Sequence, residues 1–372
     1  MISIKSPLIS AWIGQGNFGD ELLSYGLRLE LQKKNKIDEF VYYESGGYPI
    51  YQAESNDCSS VLHNSAKNSF KAALIKRFQS LKGYDSIFFG GGSIFHSETS
   101  ISWKHSLLKK FRHANPSAFA AAVGVSLGPF SDRHAERAAL ALLRDFDLVH
   151  CRDAASADFS RQVESDVDIV QGRDLAFSVK ALRPQFFYSN KIKQRIGFSF
   201  ILDPKLNEFD RSKHYSKMVA MIDFMTSSGN EVLLVSLYCG AKYSDNLLHQ
   251  KLYFSAKNKE MVRVVNYASD LGDIVSHISS CSFYVSMRLH GLITAFLSDV
   301  PFLALSIHPK VVEFCESVSD MGYNEARANL EMDTAALLAL LADAQVCSLK
   351  ESFSYKVEHD ALYLIGSSSL HM

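Results

Sequence analysis

Short β-rich runs that end in glycine, serine or aspartate alternate along this chain with longer stretches of helical periodicity. That alternation restricts the fold more than any other feature, because strand and helix in strict succession build a parallel sheet buried on both faces by crossing helices. The periodicity predicts strands over 8–13, 40–43, 86–89, 118–123 and 148–151, with helices over 21–34, 67–82, 103–113 and 133–144. Around 178–194 the period is lost, and the stretch 181–193, with Pro184, Tyr188, Ser189 and Asn190, reads as a linker. The alternation then restarts. Strands are expected over 195–200, 232–237, 262–265, 283–287 and 302–305, separated by helices near 213–227, 245–257, 271–279, 291–298 and 310–318. An Ala/Leu-rich helix covers 334–344. The expected architecture is α/β, with two Rossmann-like doubly wound domains facing a cleft. Their bounds are 1–180 and 194–345, and a tail over 346–372 is open to packing back on the first domain. A length of 372 residues suits two domains that each bury a core.

Composition removes several function classes. The formal net charge is −1, so no global field recruits nucleic acid, and anion selectivity must come from locally placed cations and backbone N–H groups. Cysteines stand at 58, 151, 239, 281, 315 and 347 without a C-x-x-C pair, which points to buried reduced thiols rather than a disulfide framework or a zinc site. The apolar run 8–14 is too short to cross a bilayer, and no other stretch approaches the roughly 18 apolar residues that crossing requires. A soluble, cytoplasmic protein is expected. Segment 67–82 sets Phe70, Leu74, Phe78 and Leu81 on one face with five basic residues elsewhere. It offers a peripheral contact with anionic lipid at the inner face of the membrane. A sheet-covering helix needs the same stripe, and that reading is favoured.

In doubly wound sheets, ligands bind outside the carboxyl ends of the strands. Four turns occupy such places. The first, GQGNFGD at 14–20, opens a helix; it lacks the Gly-Lys-Ser/Thr of a Walker loop, and its plain reading is a tight turn with Asp20 as helix cap. The second carries Gly90, Gly91 and Gly92, whose entropic penalty a backbone pressed against a ligand or the opposite domain would justify. The third is GVSLGP at 124–129. The fourth, SMRLHG at 286–291, ends a strand and delivers Arg288 and His290. At spacing i, i+2 in extended chain both point to one side, and together at a helix start they make an anion site. The plain alternative pairs the guanidinium with a domain carboxylate and satisfies the histidine in the core.

Taken together, GNFGDELL at 16–23, FGGGSIF at 89–95, GVSLGP at 124–129, RDAAS at 152–156, DLAF at 174–177, SMRLHG at 286–291 and VPFLALSIHPK at 300–310 form an ordered series. In this the chain resembles the polysaccharide pyruvyl transferases. The resemblance implies a GT-B-like fold and transfer of a pyruvate unit from phosphoenolpyruvate to two sugar hydroxyls, giving a cyclic ketal. The acceptor is implied to be a unit of a cell-surface polysaccharide or its lipid-linked precursor. Arg288 and His290 would form the donor site, with Arg152 and Lys310 as further basic contacts and Ser286 beside them. The second domain would hold phosphoenolpyruvate. The first would face the acceptor, through Asn17, Asp20, Gly91 and Gly92. The chain departs from the family pattern at Leu175, at Ser126 and at Ile307, which bears on the acceptor more than on the donor.

The chemistry suits these residues. Phosphoenolpyruvate presents a phosphate and a carboxylate, and an arginine fork matches either. Histidine titrates near neutrality, which makes His290 the candidate acid that protonates the methylene carbon. No cofactor or metal is expected. The rival readings are a nucleotide-sugar glycosyltransferase of the same architecture and a non-catalytic anion-binding relative. Retaining glycosyltransferases of that class carry two glutamates about eight apart, whereas Glu313 and Glu316 are three apart.

Overall fold

The computed structural model describes residues 4–37, 39–43, 59–62, 81–203, 205–240, 244–305, 308–319 and 326–348. These fall into two compact units. The first takes in Met1–Gln15 and Asp20–Leu182, and the second Gly16–Gly19 and Arg183–Lys356. Segment 67–80 and the tail from 349 lie outside the described residues, and with them the basic stripe and the docking of the tail.

The first unit is a parallel sheet of seven strands: β1 (Pro7–Ala11), β2 (Phe40–Tyr43), β3 (Ser59–Leu62), β4 (Ser86–Phe95), β5 (Phe119–Leu127), β6 (Leu148–Cys151) and β7 (Asp168–Gln171), in the order β3-β2-β1-β4-β5-β6-β7. Strand order reverses between β1 and β4. Helices α1 (Phe18–Lys34), α2 (Glu98–Ala114), α3 (Arg133–Leu143), α4 (Ala154–Ser160) and α5 (Leu175–Leu182) link the strands. Periodicity missed β3, β7, α4 and α5, since four-residue edge strands and helices of two turns give too few repeats to read.

One expectation about the first unit is corrected. Helix α1 begins at Phe18, because the Asn17 side-chain oxygen accepts from the Gly19 N–H at 3.2 Å. Asn17 is therefore the cap, and Asp20 lies inside the first turn. The glycine triplet lies close against α1. A Cβ on Gly90 would lie 2.8 Å from Leu27 Cδ2, on Gly91 2.6 Å from Leu23 Cβ, and on Gly92 2.7 Å from Asp20 Oδ1. Gly91 and Gly92 also hold φ of +67° and +85°, which side-chain-bearing residues rarely adopt.

The second unit repeats the plan with β8 (Ile192–Ser199), β9 (Glu231–Ser236), β10 (Val262–Asn266), β11 (Cys281–Ser286), β12 (Phe302–Leu305) and β13 (Ala326–Ala328), all parallel, in the order β10-β9-β8-β11-β12-β13. Here the order reverses between β8 and β11. Helices α6 (Glu208–Ser227), α7 (Asp245–Ser255), α8 (Leu271–Ser279), α9 (Leu289–Leu297), α10 (Pro309–Ser319) and α11 (Thr334–Ser348) complete it. Val232, Leu233, Leu234 and Val235 are all buried, as a sheet covered on both faces requires. The expected linker is largely structured. Helix α5 runs to Leu182, a 3₁₀ turn Pro184–Phe187 packs against α8 through buried Phe187, and β8 starts at Ile192.

A second correction concerns the fourth turn. Strand β11 stops at Ser286 and α9 starts at Leu289, so Arg288 occupies the cap position and His290 the first helical turn. The alternation of extended chain does not apply to this pair.

Among the described residues, His150 in the first unit and His249 in the second are buried and bonded to backbone. His150 Nδ1 accepts from the Gly124 N–H at 3.0 Å. His249 Nε2 accepts from the Phe200 N–H at 3.2 Å, which leaves Nδ1 to donate to Ser236 Oγ at 2.9 Å. Burial pushes both imidazoles down to about 4. Below pH 6.5 the unfolded chain takes up these protons while the folded chain does not, so stability falls as pH drops from about 6.5 to about 4. Each histidine accounts for on the order of 3 kcal/mol across that window. Urea unfolding at several pH values is expected to show this decline, and His249→Gln to flatten it.

Candidate functional site

The second unit gathers Asn17, Ser286, Arg288 and His290. Beyond β9 the chain continues extended, and the Gly16–Gly19 segment pairs with it. The Phe18 N–H donates to Leu237 O at 2.9 Å, the Cys239 N–H donates to Gly16 O at 2.8 Å, and Asn17 bridges Tyr238 antiparallel. Phe18 is buried edge-on to Tyr267, ring centroids 5.7 Å apart, and this anchors the segment. Gly19 is thereby brought against α9: a Cβ there would lie 2.1 Å from His290 Nδ1. The half-buried imidazole packs on bare backbone, which no other residue type at 19 permits.

Ser286 is fully buried and holds the turn itself. Its hydroxyl accepts from the Arg288 N–H at 3.0 Å and donates to the Arg288 carbonyl at 2.9 Å. A Cβ on Gly291 would meet that hydroxyl at 2.5 Å, hence glycine there. The Arg288 guanidinium pairs bidentately with Asp245, Nη2 to Oδ1 at 2.5 Å and Nε to Oδ2 at 3.1 Å, and lies over the Tyr238 ring. Asp245 opens α7, is 1 % exposed, and also accepts the N–H groups of Leu237 and Tyr238 at 3.2 and 3.0 Å. The carboxylate partner of the plain alternative is thus present. Arg288 nonetheless lines a cavity of about 850 Å³ together with Asp245, Tyr238, Tyr215, Arg211 and Lys251. The cavity opens beyond β8, β9 and β11, where the strand order reverses and doubly wound sheets bind their ligands.

Lys310 lies in the first turn of α10, beyond β12, the strand next to β11. Nearby His308 titrates low, through burial first and the Lys310 charge second. Ile307 lies outside the described residues.

Arg152, Asp20, Gly91 and Gly92 belong to the first unit. The Arg152 side chain is 7 % exposed and ties three strand ends together: Nη1 to Asp174 at 2.8 Å, Nε to Ser126 Oγ at 2.7 Å and Nη2 to Ser93 Oγ at 3.4 Å. Ser126 Oγ in turn donates to Asp153 at 2.7 Å. The departure at Ser126 from the family pattern therefore sits within this network. Among the described residues, no three His, Cys, Asp or Glu side chains gather where they could hold a metal ion.

The polysaccharide pyruvyl transferase family profile matches residues 17–309. The chain belongs to that family. A search of curated proteins found no match. Among solved structures, the UDP-GlcNAc 2-epimerase of Methanocaldococcus jannaschii is similar at 8% identity and TM-score 0.55, over 95% of this chain and 93% of that one. The UDP-GlcNAc 2-epimerase of Neisseria meningitidis bound to UDP-GlcNAc follows at 12% identity, TM-score 0.55 and 93% of each chain. An alpha-glucosyltransferase in complex with UDP and DNA gives 9% identity and TM-score 0.52, over 94% and 90%. These likenesses show the fold, two GT-B-type parallel sheets with alternating helices.

In this pyruvyl transferase family member, Gly19→Ala is expected to force the His290 ring from its seat. Long-range ¹⁵N correlation of the imidazoles should show a displaced His290 signal with the others in place. Arg152→Ala removes one partner of a buried pair and leaves Asp174 uncompensated. A loss of about 3 kcal/mol is expected, measured by urea unfolding.

Proposed function

We propose that the protein transfers the pyruvate unit of phosphoenolpyruvate onto two hydroxyls of a sugar, forming a pyruvate ketal on a cell-surface polysaccharide or its lipid-linked precursor. The reading is supported by family membership together with one local observation. A guanidinium that lines a cavity stands at the start of α9, at the carboxyl end of β11, with an imidazole in the first turn of the same helix. The N-terminus of a helix and an arginine favour an anion there.

In this proposal Arg288 offers directed N–H groups, and Lys310 positive charge, to the donor's phosphate and carboxylate. His290 delivers a proton to the methylene carbon while the first sugar hydroxyl attacks C2. The second hydroxyl then bonds to the same carbon as phosphate leaves with the C–O bond electrons; the first hydroxyl's proton restores His290, and the second's departs with the phosphate. Ser286 acts on substrate through the turn it holds. Asn17 acts from the second unit, while Asp20, Gly91 and Gly92 stand on the first, the side we assign to the acceptor sugar. No cofactor is invoked. Phosphoenolpyruvate is a metabolite of the cell interior, and we place the enzyme there; among the described residues no helix is long and apolar enough to cross a membrane.

Mass spectrometry of a candidate glycan incubated with protein and phosphoenolpyruvate tests the reading. A ketal product is expected, and His290→Ala and Arg288→Ala should each slow it by roughly 100-fold or more. Thermal stabilisation by a nucleotide sugar and none by phosphoenolpyruvate would overturn the assignment in favour of a glycosyltransferase.

A further inference from the structure

We infer that Asp245 is a positioning residue for Arg288, holding it so that an anionic substrate group meets the guanidinium end-on, through Nη1 and the second Nη2 hydrogen, rather than side-on through Nε and Nη2. The inference rests on the proposed pyruvyl transfer for its kinetic arm and on geometry alone for the rest. Asp245 Oδ1 and Oδ2 accept from Nη2 and Nε, so the side-on edge of the guanidinium is engaged, and the end-on edge, Nη1 with the second Nη2 hydrogen, is left to an anion. Nη1 makes no hydrogen bond to a described residue, and Arg288 lines the cavity.

Burial makes the arrangement rigid. At 1 % exposure Asp245 has no water shell to exchange into, and its four hydrogen bonds come from three directions: Leu237 N–H, Tyr238 N–H and the guanidinium. Its own N–H donates to Tyr238 O at 2.8 Å. The same Leu237–Cys239 stretch receives the Gly16–Gly19 segment that seats His290. One carboxylate therefore orients the arginine directly and lies one hydrogen bond from the backbone on which the histidine's support is built. It also neutralises the Arg288 charge, so the attraction felt by an anion comes from directed N–H groups and the α9 N-terminus more than from net charge.

Two measurements on the full chain test this. In ketal formation, Asp245→Asn is expected to lower kcat by about tenfold or more while changing KM for phosphoenolpyruvate less than about threefold. In an Arg288→Lys background the same change should add no further loss, because both substitutions break one interaction. Multiplying losses would overturn the inference, as would an undiminished kcat in the single variant. The second arm needs no turnover: the Arg288 ¹⁵Nε–H resonance, slowed in exchange by Asp245 in the wild type, is expected to broaden or shift in Asp245→Asn. An unchanged resonance also overturns it. Should Asp245→Asn fail to fold, Arg288→Lys reports from the other side, by shifting the Leu237 and Tyr238 amides as their shared acceptor relaxes; unmoved amides count against the pairing. A wild type that makes no ketal speaks against pyruvyl transfer, and the resonance arm then decides Asp245 alone.

Discussion

A parallel sheet leaves its strand ends with backbone groups that no neighbouring strand satisfies, and in the second unit Asp245 does much of that work at β9. Its carboxylate takes the Leu237 and Tyr238 N–H groups and the Arg288 fork in one buried position. Buried charge is tolerated only when paired and fully hydrogen-bonded, so the three elements it joins are obliged to stay together. The end of β9, the start of α7 and the turn before α9 thereby become one rigid wall of the cavity. The pairing of Gly16–Gly19 with Leu237–Cys239 gives His290 its seat.

Glycine at these turns answers to close packing. At 90–92 the missing side chains admit Leu27, Leu23 and Asp20 of α1. At 124, with φ +66°, a Cβ would strike Leu175 at the start of α5. These are demands of helices laid close on strands. Gly19 is the contrasting case, where the absent side chain makes room for a candidate catalytic ring. A sequence writes all of these in the same letter, and only the neighbour distinguishes them.

Periodicity carries the long elements well, because apolar side chains on a buried strand or on one helix face must recur at the spacing of the backbone. The strand at 40–43, the strand at 148–151 and the helix at 271–279 have the bounds read from sequence. Edge strands such as β7, half-buried and four residues long, carry too little apolar pattern to register. The turn at 286–291 was misread in geometry, since a strand and a helix N-terminus offer the same residues with different side-chain directions. Asp245 left no trace. An aspartate at the first residue of a helix is ordinary for electrostatic reasons alone, and nothing local announces that an arginine 43 positions away will use it.

By itself the sequence determined the class of fold, the family and the identity of the residues at the strand ends, because alternation and ordered motifs are properties of the chain written in one dimension. Tertiary structure decided what those residues are joined to. Arg288 has its Nε–Nη2 edge occupied by Asp245, Arg152 is buried among Ser126, Asp174 and Ser93, and Asn17 caps α1 while it clusters with the second unit. Hydrogen bonds and close contacts between residues far apart in the chain have no sequence period, so their partners become visible only once the sheets are formed.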